Sequence, residues 1–373
     1  MSQWIKTKLG EIVILNYGKA LKAQDRNAGS IPVYSSGGLT GWHNKALINE
    51  QGIIIGRKGT VWKAYLTYGP FWCIDTAYYI LPNPSKYDFV FLFYLLKTLG
   101  LEELNEDSAV PGLNRDTAYS QEILLPSLPE QKAIASVLSS LDDKIDLLHR
   151  QNKTLESMAE TLFRQWFILD STGVSVSIDQ IIDFNPKRTL IKSQDATYLD
   201  MAGLSTVIFR ANGYYRRPFS SGTKFTKRDT LLARITPCLE NGKAAYIDFL
   251  DDNETGWGST EFIVMRPKKE IHPFISYIMC RNPDFKEYAE SCMEGSTGRQ
   301  RVNLDHLKKF NVNLPTEASL RIINELLDSF ESKLINNSKQ IDSLEKLRDT
   351  LLPKLMSGEV RVQYAEEAIA SVA

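Results

Sequence analysis

Residues 125–167, LPSLPEQKAIASVLSSLDDKIDLLHRQNKTLESMAETLFRQWF, and residues 314–356, LPTEASLRIINELLDSFESKLINNSKQIDSLEKLRDTLLPKLM, are one helix written twice at a constant shift of 189. The first copy places Ile134, Leu138, Leu141, Ile145, Leu148, Asn152, Leu155, Ala159, Leu162 and Trp166 at alternating steps of four and three. That is a heptad seam with one polar position. The second copy repeats it as Ile323, Leu327, Phe330, Leu334, Asn337, Ile341, Leu344, Arg348, Leu351 and Leu355. An antiparallel pair with matched ends opposes seam positions whose numbers add to 489, so Asn152 meets Asn337 in one layer. A buried polar pair of this kind fixes register at some cost in stability. Two ordinary amphipathic helices in separate cores are the competing reading, and the unbroken run of heptads argues against it. Pro353 interrupts the second copy, and a proline inside a helix removes a hydrogen bond, so the register is expected to hold only to Leu352.

The segments ahead of each helix read as two diverged versions of one domain. LGEIVILNYGK (9–19) resembles IDQIIDFNPKR (178–188) at a shift of 169, and DTAYYI (75–80) resembles STEFIV (259–264) at 184. Short strands are predicted at 12–15, 52–55, 76–81, 230–233, 244–249 and 261–265, with helices at 88–99 and 272–280. The expected fold is α+β: two globular heads separated by a long antiparallel two-helix coiled coil, related by a pseudo-twofold internal repeat. The expected segments are 1–128, a first head; 129–169, a central helix; 170–314, a second head; 315–358, a distal helix; and 359–373, a tail. An antiparallel return holds one head at each end of a rod of roughly 50 Å, taking about 1.5 Å per residue. Heads so held could address duplex sites roughly one helical turn apart, and unlike heads imply an asymmetric target.

Bulk composition sets few further limits. With 373 residues, 43% hydrophobic and 24% charged, the chain has the composition of an ordinary globular protein of two or three domains. No amino-terminal signal segment is seen, and the longest apolar run, 89–96, is too short to span a bilayer, so a cytoplasmic protein without membrane contact is expected. Cys73, Cys238, Cys280 and Cys292 form no CxxC pair and have no histidine in zinc spacing; free thiols and no metal are expected. The heads hold 12 Lys+Arg against 11 Asp+Glu and 20 against 18, an excess too small to argue for or against a nucleic-acid partner.

Across nearly its whole length the sequence then resembles a known family. LPSLPEQKAIASVLSSLDDKID, LPTEASLRIINELLDSFESKLI and LEKLRDTLLPKLMSGEV look like the conserved regions of the specificity (S) subunit of type I restriction-modification systems, and IPVYSSGGLTG, GIIIGRKGT and DTLLARITPCLENGKAA resemble its variable target-recognition domains. The resemblance implies a non-catalytic subunit that reads a bipartite sequence in double-stranded DNA. It also implies that two methyltransferase (M) subunits are recruited and that endonuclease (R) subunits complete the complex. Pro353 and a tail from Val362 onward depart from the family pattern.

DNA-contacting residues follow from chemistry, because arginine reads guanine through two parallel bonds and asparagine or glutamine can read adenine. In the first head, Tyr34, Ser36, Gly37, Gly38, Trp42 and Asn44 form a turn-rich loop, Arg57 and Lys58 follow a strand, and Asn114 and Arg115 precede the long helix. In the second, Tyr214, Tyr215, Arg216, Arg217, Lys224, Lys227 and Arg228 interleave aromatic and basic residues in the manner that suits backbone contact and stacking. Arg234 takes the place of Arg57, and Arg299, Gln300 and Arg301 are read as corresponding to 113–115. His43 has no partner in metal or triad spacing and is expected at the polar surface. Chemistry of its own is not expected. No glycine-rich cofactor loop or Asn-Pro-Pro-aromatic run is present, GIIIGRKGT lacks the phosphate-loop spacing, and no cofactor is called for. A structural coiled-coil adapter and an enzyme with a degenerate site are the alternatives.

Overall fold

The computed structural model describes residues 4–59, 63–100, 112–296 and 298–362. The part of the predicted tail from residue 363 onward lies outside them. Two compact units divide the chain, Met1–Asp146 with Gln340–Ala373, and Leu147–Lys339. The two long helices, Leu128–Phe163 and Glu317–Ser357, each contribute to both units.

The fold is α+β, and the two heads share one plan. In the first unit a four-stranded sheet runs in the order Asn16–Tyr17, Ala77–Ile80, Gly52–Gly56, Ala64–Thr67. In the second the order is Ile182–Phe184, Phe262–Pro267, Thr230–Ala233, Ala244–Tyr246. The helices Phe89–Thr98 and Phe274–Arg281 follow in equivalent places. Pairing corrects one of the shifts read from sequence: Gly56 opposes Ala77 while Ala233 opposes Phe262, so the strand repeat is offset by 185 and not 184. Aligning Thr76 with Thr260 rewards identity but slips the strand by one residue, which would turn every side chain to the other face. The strand predicted at 12–15 is also corrected. Leu9–Ile12 is a short helix whose Leu9 and Ile12 are buried three residues apart, and after the strand Ile5–Lys8 pairing resumes only at Asn16. Ile14, 71% exposed, has no place in a core strand.

The long helices pack antiparallel. In the second unit Asn337 Nδ2 donates to Asn152 Oδ1 at 2.9 Å, and Asn152 Nδ2 donates to Ser338 Oγ at 3.3 Å. In the first, Arg348 donates to Asp142 at 2.9 Å, so partners recede along one helix as the other advances. Gln151 and Ser338 join the polar layer from beside the seam, where periodicity gives no warning of them. Pro353 does not end its helix. It is exposed, so the carbonyl that loses its amide partner can face water, and Leu355 and Met356 beyond it are buried. The first helix closes sooner than its seam suggests: Arg164–Leu169 widens into a π-turn that carries Phe167 into the core, stacked 5.2 Å from Phe163, and leaves Trp166 half-buried.

Carboxylates on the helices anchor each head within its own unit. Tyr94 donates to Asp142 at 2.6 Å, and Tyr246 donates to Glu331 at 2.7 Å. These carboxylates stand 189 residues apart, at equivalent places in the repeat. Glu331 also accepts from Arg228 at 2.6 Å. A second anchor in the second unit joins Glu156 to Tyr277 at 2.8 Å, with Arg281 donating to the same tyrosine oxygen. Burial pushes the Glu156 carboxyl up to about 7, against the lowering effects of the Tyr277 bond and the Arg281 charge. A carboxyl whose folded value lies above its ordinary one binds its proton more tightly when folded. The resulting stability is complete below about 4.5 and is lost as pH rises through about 7. Glu156→Gln is therefore expected to remove roughly 3 kcal/mol of pH-dependent stability change between pH 4.5 and 8. Urea midpoints for the second unit checked at both pH values should diverge in the native chain and converge in the variant. Equal slopes in the two proteins would refute the assignment.

Candidate nucleic-acid interface

In the first head, hydrogen bonding gathers three of the predicted sequence stretches around Thr76. Arg57 and Lys58 donate their backbone amides to the Thr76 carbonyl, Ser36 N donates to Thr76 Oγ1, and Leu113 N donates to the Arg57 carbonyl. Lys58 pairs with Gly112 as an isolated bridge. Arg57, Lys58, Asn114 and Arg115 thus line one open pocket of about 470 Å3 with Tyr17, Tyr78 and Asp116. The Arg57 guanidinium lies 5.0 Å from the Tyr17 ring centre and that of Arg115 lies 5.3 Å from it. Arg57 Nη1 also donates to the Asp75 carbonyl at 2.8 Å. Among the described residues, no carboxylate is ion-paired with Arg57, Lys58 or Arg115. Three cations against the single carboxylate of Asp116 leave a local excess of positive charge, which favours an anionic or electron-rich partner. Asn114 is placed differently from its sequence reading: its Oδ1 caps the helix Arg115–Tyr119, accepting from Asp116 N and Thr117 N. That oxygen is therefore already engaged, whereas two-point reading of adenine requires it.

The turn-rich loop is a hairpin of Ile31–Ser35 and Gly38–His43. Gly38 has φ +97°, and a Cβ there would lie 2.8 Å from the Tyr65 ring, so glycine is required at the turn. Tyr34 packs edge-on against Phe71, Trp42 is 53% exposed, and Asn44 and Gly37 are exposed. His43 corrects the expectation of a surface residue. It is buried edge-on against Trp72 and accepts the Asn27 amide at Nδ1, because its strand turns it inward.

In the second head the basic–aromatic cluster divides by strand alternation. Tyr215–Pro218 is the edge of a sheet ordered Tyr215–Pro218, Asp195–Leu199, Thr255–Gly258, Thr223–Thr226. Tyr215, Tyr198, Trp257 and Lys224 are successive cross-strand neighbours in this sheet. Arg217 lies 5.1 Å from the Tyr198 ring and 5.6 Å from Trp257, while Lys224 lies 4.9 Å from Phe219. Arg216 instead pairs with Asp195 and Glu254, and Lys227 with Asp252. Tyr214 stacks on Phe249 at 3.9 Å. Arg228, in the left-handed conformation at φ 66°, turns to Glu331 and Asp328 of the long helix. Its Nη2 lies 3.1 Å from His272 Nε2, so a guanidinium already fills the centre of the His272, Asp328 and Glu331 group, whose geometry would otherwise suit a metal ion.

The remaining predicted residues come together at the place equivalent to the Tyr17 pocket. Arg234 N donates to the Glu261 carbonyl and Val302 N to the Arg234 carbonyl, repeating the pattern of Arg57, Thr76 and Leu113. This ladder aligns Leu113 with Val302 and Asn114 with the helix-capping Asn303, so Arg299–Arg301 correspond to 110–112 and not to 113–115. Backbone pairing, which the sequence does not display, decides this correspondence. Arg301 is held by both Glu261 oxygens at 2.8–3.0 Å, Gln300 supplies backbone contacts to Thr236, and Arg299 bonds through its amide to Ser296.

Comparison with known proteins places this repeat. A family model described as the type I restriction modification DNA specificity domain matches residues 1–157 and 172–346. The chain belongs to this specificity family. The MjaIX specificity subunit of Methanocaldococcus jannaschii is 27% identical over 319 residues, covering 73% of this chain and 69% of that protein. The EcoEI specificity subunit of Escherichia coli is 26% identical over 204 residues, covering 51% of this chain and 34% of that protein. The crystal structure of the S subunit of the M. genitalium type I restriction-modification system shares the fold, with TM-score 0.63, 19% identity, and 95% and 96% of the two chains covered. Within this specificity-family chain the site residues that sequence reasoning missed are Tyr17, Tyr78, Tyr198 and Trp257, all aromatic platforms for arginines. The repeat places Pro186 opposite Tyr17, but Gly10, Ile14 and Gly18 diverge in the same stretch, so the sequence carried no distinguishing signal for Tyr17. Among the described residues no helix is long and apolar enough to cross a membrane.

Proposed function

We propose that this chain is the non-catalytic, DNA-reading subunit of a type I restriction–modification complex. Each head contacts one half of an asymmetric, bipartite target in double-stranded DNA, and the paired helices set the spacing between the halves. The same helices offer two similar docking faces to two methyltransferase subunits, and endonuclease subunits complete the assembly. Adenine methylation and DNA cleavage belong to those partners. The observation that best supports this reading is that each head carries arginine on aromatic rings with no ion-paired carboxylate among the described residues, at non-equivalent places: Arg57 and Arg115 on Tyr17, and Arg217 on Tyr198 and Trp257. Cations left free on a rigid support suit a polyanion, and different placement suits different half-sites. Arg216, Lys227, Arg228 and Arg301 have intramolecular carboxylates, and their contribution to DNA contact is correspondingly smaller. Replacing residues 1–128 by the equivalent head of a relative is expected to change one half-site and leave the other intact in the methylation pattern of the assembled system. Alteration of both halves would contradict independent reading.

A further inference from the structure

We infer that the Tyr17 pocket reads a guanine in the half-site served by the first head, with Arg57 as the specificity-determining residue. This rests on the DNA-reading proposal above and adds the base and the side chain. Contact with a phosphate asks only for positive charge within reach, which the exposed Lys58 can supply. Recognition of a base edge asks for a planar fork held in one orientation. Arg57 is held in that way before any DNA arrives. Its Nη1 is tied to the Asp75 carbonyl at 2.8 Å, and its plane is limited by Tyr17 at 5.0 Å and Tyr78 at 5.8 Å. The opening of about 470 Å3 leaves room for an entering base edge. Adenine is disfavoured as the ligand, since the Asn114 carbonyl oxygen is consumed in capping a helix. Arg115 at 5.3 Å from the same ring adds a second donor and excludes cationic ligands.

The second head does not repeat the device. The positions equivalent to Tyr17 and Arg115 are Pro186 and Leu304, so the Arg57 equivalent, Arg234, is tied to a backbone carbonyl in the same manner but meets neither the ring nor the second cation at those places. Glu261 and Arg301, ion-paired to each other, stand where the first head has Thr76 and Gly112. Guanine reading at this place is therefore private to the first head.

The test is the methylated-base motif of a host carrying the complete system, with the native chain, Arg57→Lys and Tyr17→Ala. Arg57→Lys keeps the charge and loses the fork. It is expected to relax one guanine in the first head's half-site by about tenfold to a hundredfold. Tyr17→Ala should relax the same position while keeping every charge, and an unchanged second half-site shows that both variants fold. A native first half-site without guanine overturns the inference and leaves the DNA-reading proposal standing. So does an Arg57→Lys motif identical to the native one, which would make Arg57 a phosphate contact. A native system with no bipartite motif overturns both.

Discussion

Glu331→Ala is expected to lower the stability of the second unit by about 3 kcal/mol, the usual result of removing one partner from a buried pair. Glu331 is nearly inaccessible, and it accepts from Arg228 at 2.6 Å and from the fully buried Tyr246 at 2.7 Å. Without it, the one carboxylate left beside Arg228 among the described residues is the exposed Asp328 at 3.4 Å, and the Tyr246 hydroxyl loses its acceptor inside the core. Glu331→Gln keeps an acceptor for the tyrosine and should cost roughly half as much. Denaturation midpoints of the two variants separate the charge from the hydrogen bond. A midpoint for Glu331→Ala equal to that of the native chain would mean that the head does not depend on this anchor.

The second large effect concerns DNA spacing. Removing one heptad from each long helix, with the seam positions kept opposite one another, shortens the pair by about 10 Å at 1.5 Å per residue. At about 3.4 Å per base pair that corresponds to a spacer roughly three base pairs shorter, with both half-sites unchanged. The polar layer decides which heptads to remove. Asn152 and Asn337 bond each other at 2.9 Å, so deletions on the same side of that layer keep the two asparagines paired. A spacer of native length in the shortened protein would refute the proposal that the helices act as a ruler.

The repeated helix was the most legible part of the chain because its information is local and periodic. Ile134, Leu138, Leu141, Ile145 and Leu148 are all buried, as a heptad seam requires. Pro353 shows where local rules overreach: the loss of one amide bond is cheap at an exposed position when Leu351 and Leu355 on the opposite face stay packed. The heads were legible as strands but not in their exact repeat offset, since identity of side chains and equivalence of backbone ladders part company at Thr260 and again at Arg301. Clusters of basic residues were visible in the sequence, but their assignment was not. Whether an arginine meets a carboxylate, as Arg216 meets Asp195, or an aromatic ring, as Arg217 meets Tyr198, depends on strand alternation and on residues distant in sequence. Tyr17 escaped notice because its two arginines come from positions 40 and 98 residues away.

The central claim is that one chain reads two unlike half-sites in DNA. Mapping the methylated adenines in DNA from a host that carries the complete system tests it most directly. The expected result is a motif of two different short fixed sequences separated by a spacer of constant length and variable sequence. A single contiguous motif, or a pattern unaltered when this chain alone is deleted, would contradict it.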